Sequence, residues 1–173
     1  MIVVAIIGIL VAVLVPKMGV VKASAKMAGV DANARQVQAA VTGLIERYQK
    51  MPAGDENATA IAEVKKFANN LASSLQDIVN PFDENYSGAA VVSSGSFPNN
   101  TEVAIGGDLS TIEDDGSVNI DAPDTSSQPG QIFVEIATDD YKIGSATFYK
   151  ITQVNIVPYD VNNKKMAAIE VTP

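Results

Sequence analysis

The chain of 173 residues contains no cysteine, no histidine and no tryptophan. Without cysteine there are no disulfides, so a small exported domain would need a hydrophobic core of its own. The common nucleophiles, general bases and transition-metal ligands are also missing, because most of them are cysteine or histidine. No GxSxG, GxGxxG, P-loop or HExxH pattern occurs. These absences argue against an enzyme.

Basic side chains are scarce in the C-terminal part of the chain. Residues 1–50 carry six basic and two acidic side chains, whereas residues 51–173 carry six basic and eighteen acidic, a net charge of −12. Between Thr101 and Asp140 there are ten acids and no lysine or arginine. Because an acidic surface repels phosphate backbones, nucleic acid is not expected as a partner.

The first fifteen residues are uncharged and almost wholly aliphatic, and Pro16 and Lys17 follow them. At 1.5 Å per helical residue the run from Met1 to Val15 spans about 22 Å, less than the ~30 Å core of a bilayer. A signal-peptide core, a buried helix and a truncated membrane span all fit such a run. No basic residue precedes it and no small-x-small cleavage site ends it, which disfavours a signal peptide.

The pattern of the following residues predicts an amphipathic helix. Apolar residues recur at steps of three and four, at Val30, Ala34, Val37, Val41, Leu44 and Tyr48. This stripe suits a helix packed on its own domain, and two heptads are too few to establish a coiled coil. Pro52 and Gly54 argue against continuation.

Residues 1–50 are therefore expected to form one long helix in two environments. Its first part is apolar on all sides and must be surrounded by lipid or by other apolar helices. The remaining part of the chain is too small to wrap this segment and also form a core. We expect a hydrophobic stalk over residues 1–29 and a globular head over residues 30–173.

The opening run, with Gly8 and Pro16 at their positions, resembles the N-terminal signature of type IV pilins and the related type II secretion pseudopilins. The resemblance covers about 16 residues, and the rest of the chain adds little to it. It implies prepilin processing, N-terminal methylation and a stalk that enters a filament core or the membrane. The residues to which it assigns that role are Met1, Ile2, Val3, Val4, Ile6, Ile7, Gly8, Ile9, Leu10, Val11, Val13, Leu14, Val15 and Pro16.

The family motif begins a few residues earlier and contains a glutamate that pairs with the N-terminal amine of a neighbouring subunit. We expect that glutamate two residues before Met1 in the native protein, and the residues missing before Met1 would lengthen the apolar run to a full span. The alternative is that this protein lacks the glutamate. Gly8 and Pro16 weaken the helix between them, and the resemblance implies partial unwinding there in a filament. A simple kink at Pro16 is the alternative.

The remainder of the chain predicts a second helix and then strands. Apolar residues at three- and four-residue steps indicate a helix over residues 58–79. Alternating patterns predict strands at residues 89–93, 102–105, 117–120, 131–137, 146–157 and 166–172. We therefore expect an α+β fold with a C-terminal antiparallel β-sheet packed on the stalk, as in the pilin fold.

Two kinds of minor site are candidates. Hard oxygen donors suit calcium, although an EF-hand spacing is absent; these donors are Asp108, Glu113, Asp114, Asp115, Asp121 and Asp124. A solvated acidic loop is the alternative, and no other cofactor is expected. Glycosylation triplets begin at Asn57, Asn85 and Asn99, and residues 124–130 would equally suit O-linked sugar.

The sequence thus predicts a structural subunit of a bacterial type IV pilus. Its expected partners are other copies of itself, the inner membrane before assembly and the pilus assembly machinery, and its expected location is the cell surface. A pseudopilin of a secretion or DNA-uptake system is the related alternative. From another class, the alternative is a membrane-anchored acidic calcium-binding domain, which the positive-inside tendency of Lys17, Lys22 and Lys26 would keep in the cytoplasm.

Overall fold

The computed structural model describes residues 2–49, 57–92, 95–106, 121–143 and 146–173. The first helix, α1, is 48 residues long and spans Ile2–Gln49. The second helix, α2, spans Asn57–Ser74. Five strands follow: β1 (Ala89–Val92), β2 (Val103–Gly106), β3 (Ile132–Ile143), β4 (Ala146–Pro158) and β5 (Ile169–Val171). The architecture is α+β, as predicted.

The C-terminal part of α1 is buried along one stripe. Val30, Ala34, Val37 and Val41 lie in the core, and Leu44 and Tyr48 pack against it. Ile45, which the predicted stripe did not include, is buried as well. Steps of three and four residues keep these side chains on one face of the helix. The prediction that this half of α1 packs on its own domain is confirmed.

The second helix ends earlier than predicted. Beyond Ser74 the chain continues in tight turns, in which the amide of Leu75 donates to the Ala72 carbonyl and that of Ile78 to the Leu75 carbonyl, at 3.2 and 3.3 Å. Both leucine and isoleucine remain buried. Because such i to i+3 turns return each third residue to the same side, they imitate a helical stripe in the sequence.

The five strands form one sheet in the order β1-β2-β3-β4-β5. β1, β2 and β3 are mutually parallel, while β3-β4 and β4-β5 are antiparallel. The predicted antiparallel sheet is therefore wrong in its first half, and the sheet is mixed. Alternation of apolar residues specifies which face of a strand is buried, but it does not specify the direction of a neighbouring strand.

The β3-β4 hairpin is longer than the predicted strands. β3 continues to Ile143, six residues beyond the predicted end at residue 137, so Asp139 and Asp140 belong to a strand. Asp139 lies opposite Lys150 of β4 in the register, and the register shifts between Ala137 and Thr138. At the sheet edge, β5 is shorter than predicted. The strand predicted at residues 117–120 lies outside the described residues.

The core lies between the helices and one face of the sheet. α1 contacts β4 and β5, and α2 contacts β1, β2 and β4. The other face is covered by loops: the ring of Phe97 meets the rings of Phe133 and Tyr159 edge to face, at centroid distances of 5.8 and 5.4 Å. Successive strand residues point to opposite faces of the sheet. Ile132 and Val134 are two residues apart and therefore both lie on the face that packs against the helices. This arrangement leaves the N-terminal part of α1 outside the core.

Candidate functional site

The opening of α1 is an apolar helix with its side chains in the open. Every residue from Ile2 to Val11 is exposed. A helix completes a turn in 3.6 residues, so ten successive exposed positions leave no face in contact with the head. The large aliphatic side chains that are at least half exposed in this segment are Ile2, Val3, Val4, Ile6, Ile7, Ile9, Leu10 and Val11.

This exposure is unusual for a protein surface. Ile2 is 78% exposed and Ile9 is 67% exposed. Single exposed aliphatic residues are normal, but contiguous apolar surface of this kind marks a contact with other molecules. We call residues 2–11 the apolar arm. Of the other predicted filament-core residues, Met1 lies outside the description, and the structure describes only the backbone of Val13, Leu14, Val15 and Pro16.

The backbone of α1 is helical without interruption through Gly8 and Pro16. In the single chain there is thus no partial unwinding at these residues. A proline within a helix leaves one carbonyl without its usual donor, yet the flanking residues can keep helical dihedral angles. A search of the described residues finds no helix that is both long enough and apolar enough to cross a membrane.

The backbone of α1 first packs closely against the head at Gly29. A β-carbon on Gly29 would lie 2.8 Å from Cγ of Pro81, so the turn after α2 approaches the helix backbone directly. One residue further, Val30 is fully buried. Gly130, which lies beside Val30 in space, has φ of 84°, and a β-carbon there would meet both Val30 and the Phe82 ring. We call these contacts of Gly29 and Val30 the helix seat.

Lys26 lies about one turn before the helix seat, on its N-terminal side. Its amine donates to the Phe82 carbonyl at 3.1 Å and lies 5.2 Å from the centre of the Phe82 ring. The side chain is half-buried, so its aliphatic stem covers apolar surface while its charge meets a carbonyl and an aromatic face. Lys22, one turn earlier, is exposed. The boundary between exposed and packed helix therefore falls at Lys26.

The turn that forms the helix seat is held by asparagine. The carboxamide oxygen of Asn80 accepts from the amides of Phe82 and Asp83, at 2.6 and 3.2 Å, and its NH₂ group donates to the Pro129 carbonyl at 2.9 Å. Such a side chain replaces the backbone partners that a turn lacks. One residue thereby fixes the turn after α2 to the loop before β3.

The predicted calcium donors are only partly described. Asp108, Glu113, Asp114 and Asp115 lie outside the described residues. Asp121 and Asp124 are both exposed, and a carboxylate oxygen of Asp124 lies 3.7 Å from the Lys165 amine. Within the described ranges, no group of three or more acidic side chains is placed to hold a metal ion. The described pair therefore does not form a calcium site by itself.

The three glycosylation triplets fall in different surroundings. Asn57 is the first residue of α2, and the structure describes its backbone but not its side chain. Asn85 is exposed at a turn, where its NH₂ group donates to the Asp83 carboxylate at 2.8 Å. Asn99 is exposed beside Asn100, whose φ is 58°. The last two are thus accessible from solvent.

Two buried polar residues were not anticipated from the sequence. Glu102 is completely buried, and burial raises its pKa to about 8. Tyr159 is also buried, and its hydroxyl donates to the Pro123 carbonyl at 2.5 Å. Burial, followed by the nearby charges of Glu135 and Asp124, raises the pKa of Tyr159. Neither residue had a sequence signal, because Glu102 lies in the acid-rich region and Tyr159 lies between two predicted strands.

Comparison with protein-family models, curated proteins and solved structures gave no significant match.

Proposed function

We propose that this protein is a structural subunit of a bacterial type IV pilus, in which the apolar arms of many copies bundle at the centre of the filament. One observation carries the proposal: α1 is a single helix whose first ten described residues are exposed on every side. The resemblance of the same residues to the pilin signature supplies the kind of assembly.

The uncharged aliphatic run of residues 1–15, which includes the arm, is costly to leave in water. Covering a fifteen-residue aliphatic helix removes on the order of 1,500 Å² of apolar area from water, which is worth tens of kcal/mol at about 25 cal/mol per Å². In a pilus the subunit leaves the inner membrane, where the arm is already in an apolar medium. Close packing of arm against arm and the loss of lipid contacts are then the net driving terms.

The distribution of charge suits such a filament. Residues 51–173 carry a net charge of −12, while no charged residue occurs before Lys17. Heads of this composition stay in water, and residues 2–11 can be gathered without burying a charged side chain of their own. The sheet packed on the second half of α1 is compatible with a pilin head.

The proposed subunit would enter the inner membrane first and then be taken by pilus assembly machinery to the cell surface. Its role there is mechanical, so no catalytic residue is assigned. Residues 1–173 contain no cysteine, so an introduced thiol is the only one within them and can report on the position of the arm.

The experiment uses the natural full-length protein with Ile7→Cys in the arm and, as a matched control, Ser73→Cys at an exposed position of α2. Surface filaments are sheared from cells, purified and treated with a water-soluble maleimide. We expect the arm thiol to be protected in filaments and to react after detergent dissociates them. The thiol at position 73 reports that the reagent reaches the heads.

Three outcomes would replace the proposal. Short periplasmic assemblies without surface filaments would favour a pseudopilin. A protein that forms no filaments and never leaves the membrane fraction would favour an anchored domain. Equal labelling of both thiols in intact filaments would show that the arm does not lie in a filament core.

A further inference from the structure

A buried polar region surrounds the side chain of Glu102, which lies just before β2. Glu102 is 0% exposed. One carboxyl oxygen, Oε1, accepts from the NH₂ group of Asn33 at 3.5 Å. The Asn80 side chain lies close enough to the carboxyl to oppose the rise in its pKa. The other oxygen, Oε2, is buried and has no hydrogen-bond partner among the described residues. A buried carboxyl with one oxygen unsatisfied is costly, and far more so when it is charged.

This carboxyl joins the elements that hold α1 in the head. Asn33 lies on α1, one turn beyond the helix seat, and its NH₂ group also donates to the Val79 carbonyl at 2.9 Å. Asn80 belongs to the turn that contacts Gly29, and it reaches the loop before β3 through the Pro129 carbonyl. The backbone carbonyl of Glu102 itself accepts from the amide of Ile132 at 3.0 Å. A change at Glu102 therefore acts on α1 and on both segments that pack against it.

Among the residues that the structure describes, no cation pairs with the buried carboxyl of Glu102. The amine of Lys26 is directed to the Phe82 carbonyl, and the Glu135 carboxylate accepts from the amide of Ala122 and from Asn155. The other charged residues near these contact points in the chain are Asp31 and Arg35 on α1, Asp83 and Glu84 in the turn, and Asp124 in the loop before β3. With only amide groups as partners, the neutral acid is the form that this site favours.

We propose that Glu102 is a pH-sensitive switch for the attachment of α1 to the head, which holds the helix while its carboxyl is protonated and loosens it when the carboxyl ionises. The ionised form requires water, and water reaches the site only if the contacts of Asn33 and Asn80 open. The inference concerns the head alone and does not depend on filament assembly.

The direction of the pH effect follows from the two states. Burial raises the pKa of Glu102 from 4.5 to about 8 in the folded protein. Between these values the folded state keeps a proton that the unfolded state has lost. The stabilisation is thus fully present below about pH 4.5 and is lost as the pH rises to 8. From this group alone, the unfolding equilibrium constant increases by up to about tenfold per pH unit in that window.

The test compares the full-length protein with its Glu102→Gln variant in nonionic detergent micelles, by urea unfolding followed with circular dichroism from pH 5 to pH 9. Glutamine has nearly the same shape and stays neutral. We expect the wild type to lose stability as the pH rises, and the variant to lose distinctly less and to be the more stable protein at pH 9. Glu46→Gln, at an exposed position of α1, serves as the control and should keep the wild-type profile.

Hydrogen exchange at the amides around Asn33 adds a local measurement. At pH 9 exchange there should be faster in the wild type than in Glu102→Gln, while the β3-β4 hairpin exchanges equally in both. Parallel pH profiles for wild type and variant would overturn the proposal. If the variant does not fold, a ¹³C NMR titration of the wild-type carboxyl decides: a midpoint near 8 supports the switch, and one near 4.5 contradicts it.

Discussion

The two parts of α1 share one backbone and meet opposite surroundings. In the apolar arm every position is exposed, including Ile2 and Ile7, whereas Val37 and Val41 in the second part are completely buried. The arm has no polar face, while the second part places Arg35 and Gln36 in solvent between its buried residues. The head can thus cover one stripe of a helix. A helix that is apolar on all sides needs more neighbours than one chain offers.

The largest expected effect concerns the core against which the second part of α1 packs. Phe67 of α2 is completely buried and meets the ring of Tyr48 edge to face at 5.5 Å. Phe67→Ala should lower the free energy of unfolding by about 3–5 kcal/mol, because it leaves a cavity in the core. Urea unfolding of the full-length protein in micelles measures it.

Ile7→Ala, in the apolar arm, is the matched variant. The side chain contacts nothing in the head, so the free energy of unfolding of the head should change by less than about 0.5 kcal/mol. A loss as large as that of Phe67→Ala would mean that the arm folds back onto the head, and the comparison between the two parts of α1 would collapse.

The next effect concerns where the two parts meet, and it compares two glycines of the same helix. Gly29→Ala places a β-carbon 2.8 Å from the Pro81 ring, which is backbone-anchored and cannot turn aside. We expect a loss of about 1–3 kcal/mol in unfolding free energy, typical of overpacking.

Gly43→Ala meets nothing within 4 Å and should stabilise the protein by about 0.5–1 kcal/mol through helix propensity. Thermal or urea unfolding measures both variants. Changes in unfolding free energy of opposite sign would show that close packing against the α1 backbone occurs at Gly29 and not at Gly43. The same sign for both would show that Pro81 does not hold the helix.

The smallest effect concerns Lys26, at the boundary itself. Lys26→Met keeps most of the apolar stem and removes the hydrogen bond to the Phe82 carbonyl and the contact with its ring. We expect a loss of about 0.5–1.5 kcal/mol. Lys22 is exposed one turn earlier, so Lys22→Met should change the free energy of unfolding by no more than about a few tenths of a kcal/mol. Equal losses for both would place the start of the head at least one turn earlier.

Much of the fold followed from periodicity. The apolar steps at Val30, Ala34 and Val37 predicted the buried stripe of α1, since one face of a helix repeats every three or four residues. Alternation likewise located β3 and β4. The direction of β1 and β2 was predicted wrongly, because strand alternation carries no information about how a connection returns to the sheet.

The candidate sites were predictable to different degrees. The exposed arm was expected from its composition, because no short helix of that kind can hide in a small head. The helix seat was not, since it depends on Pro81 and Gly130 approaching α1 across a large distance in the chain. Glu102 had no signal at all: among many acids of its region, its neighbours in space rather than in sequence make it unusual.

The sequence by itself determined that α1 begins as an aliphatic helix and continues as an amphipathic one, because both properties are local and repeat with the helical turn. Where the head closes on that helix, how the strands are directed and why Glu102 is removed from water are properties of the folded chain alone. Those outcomes depend on contacts between residues far apart in the chain, and such contacts have no period.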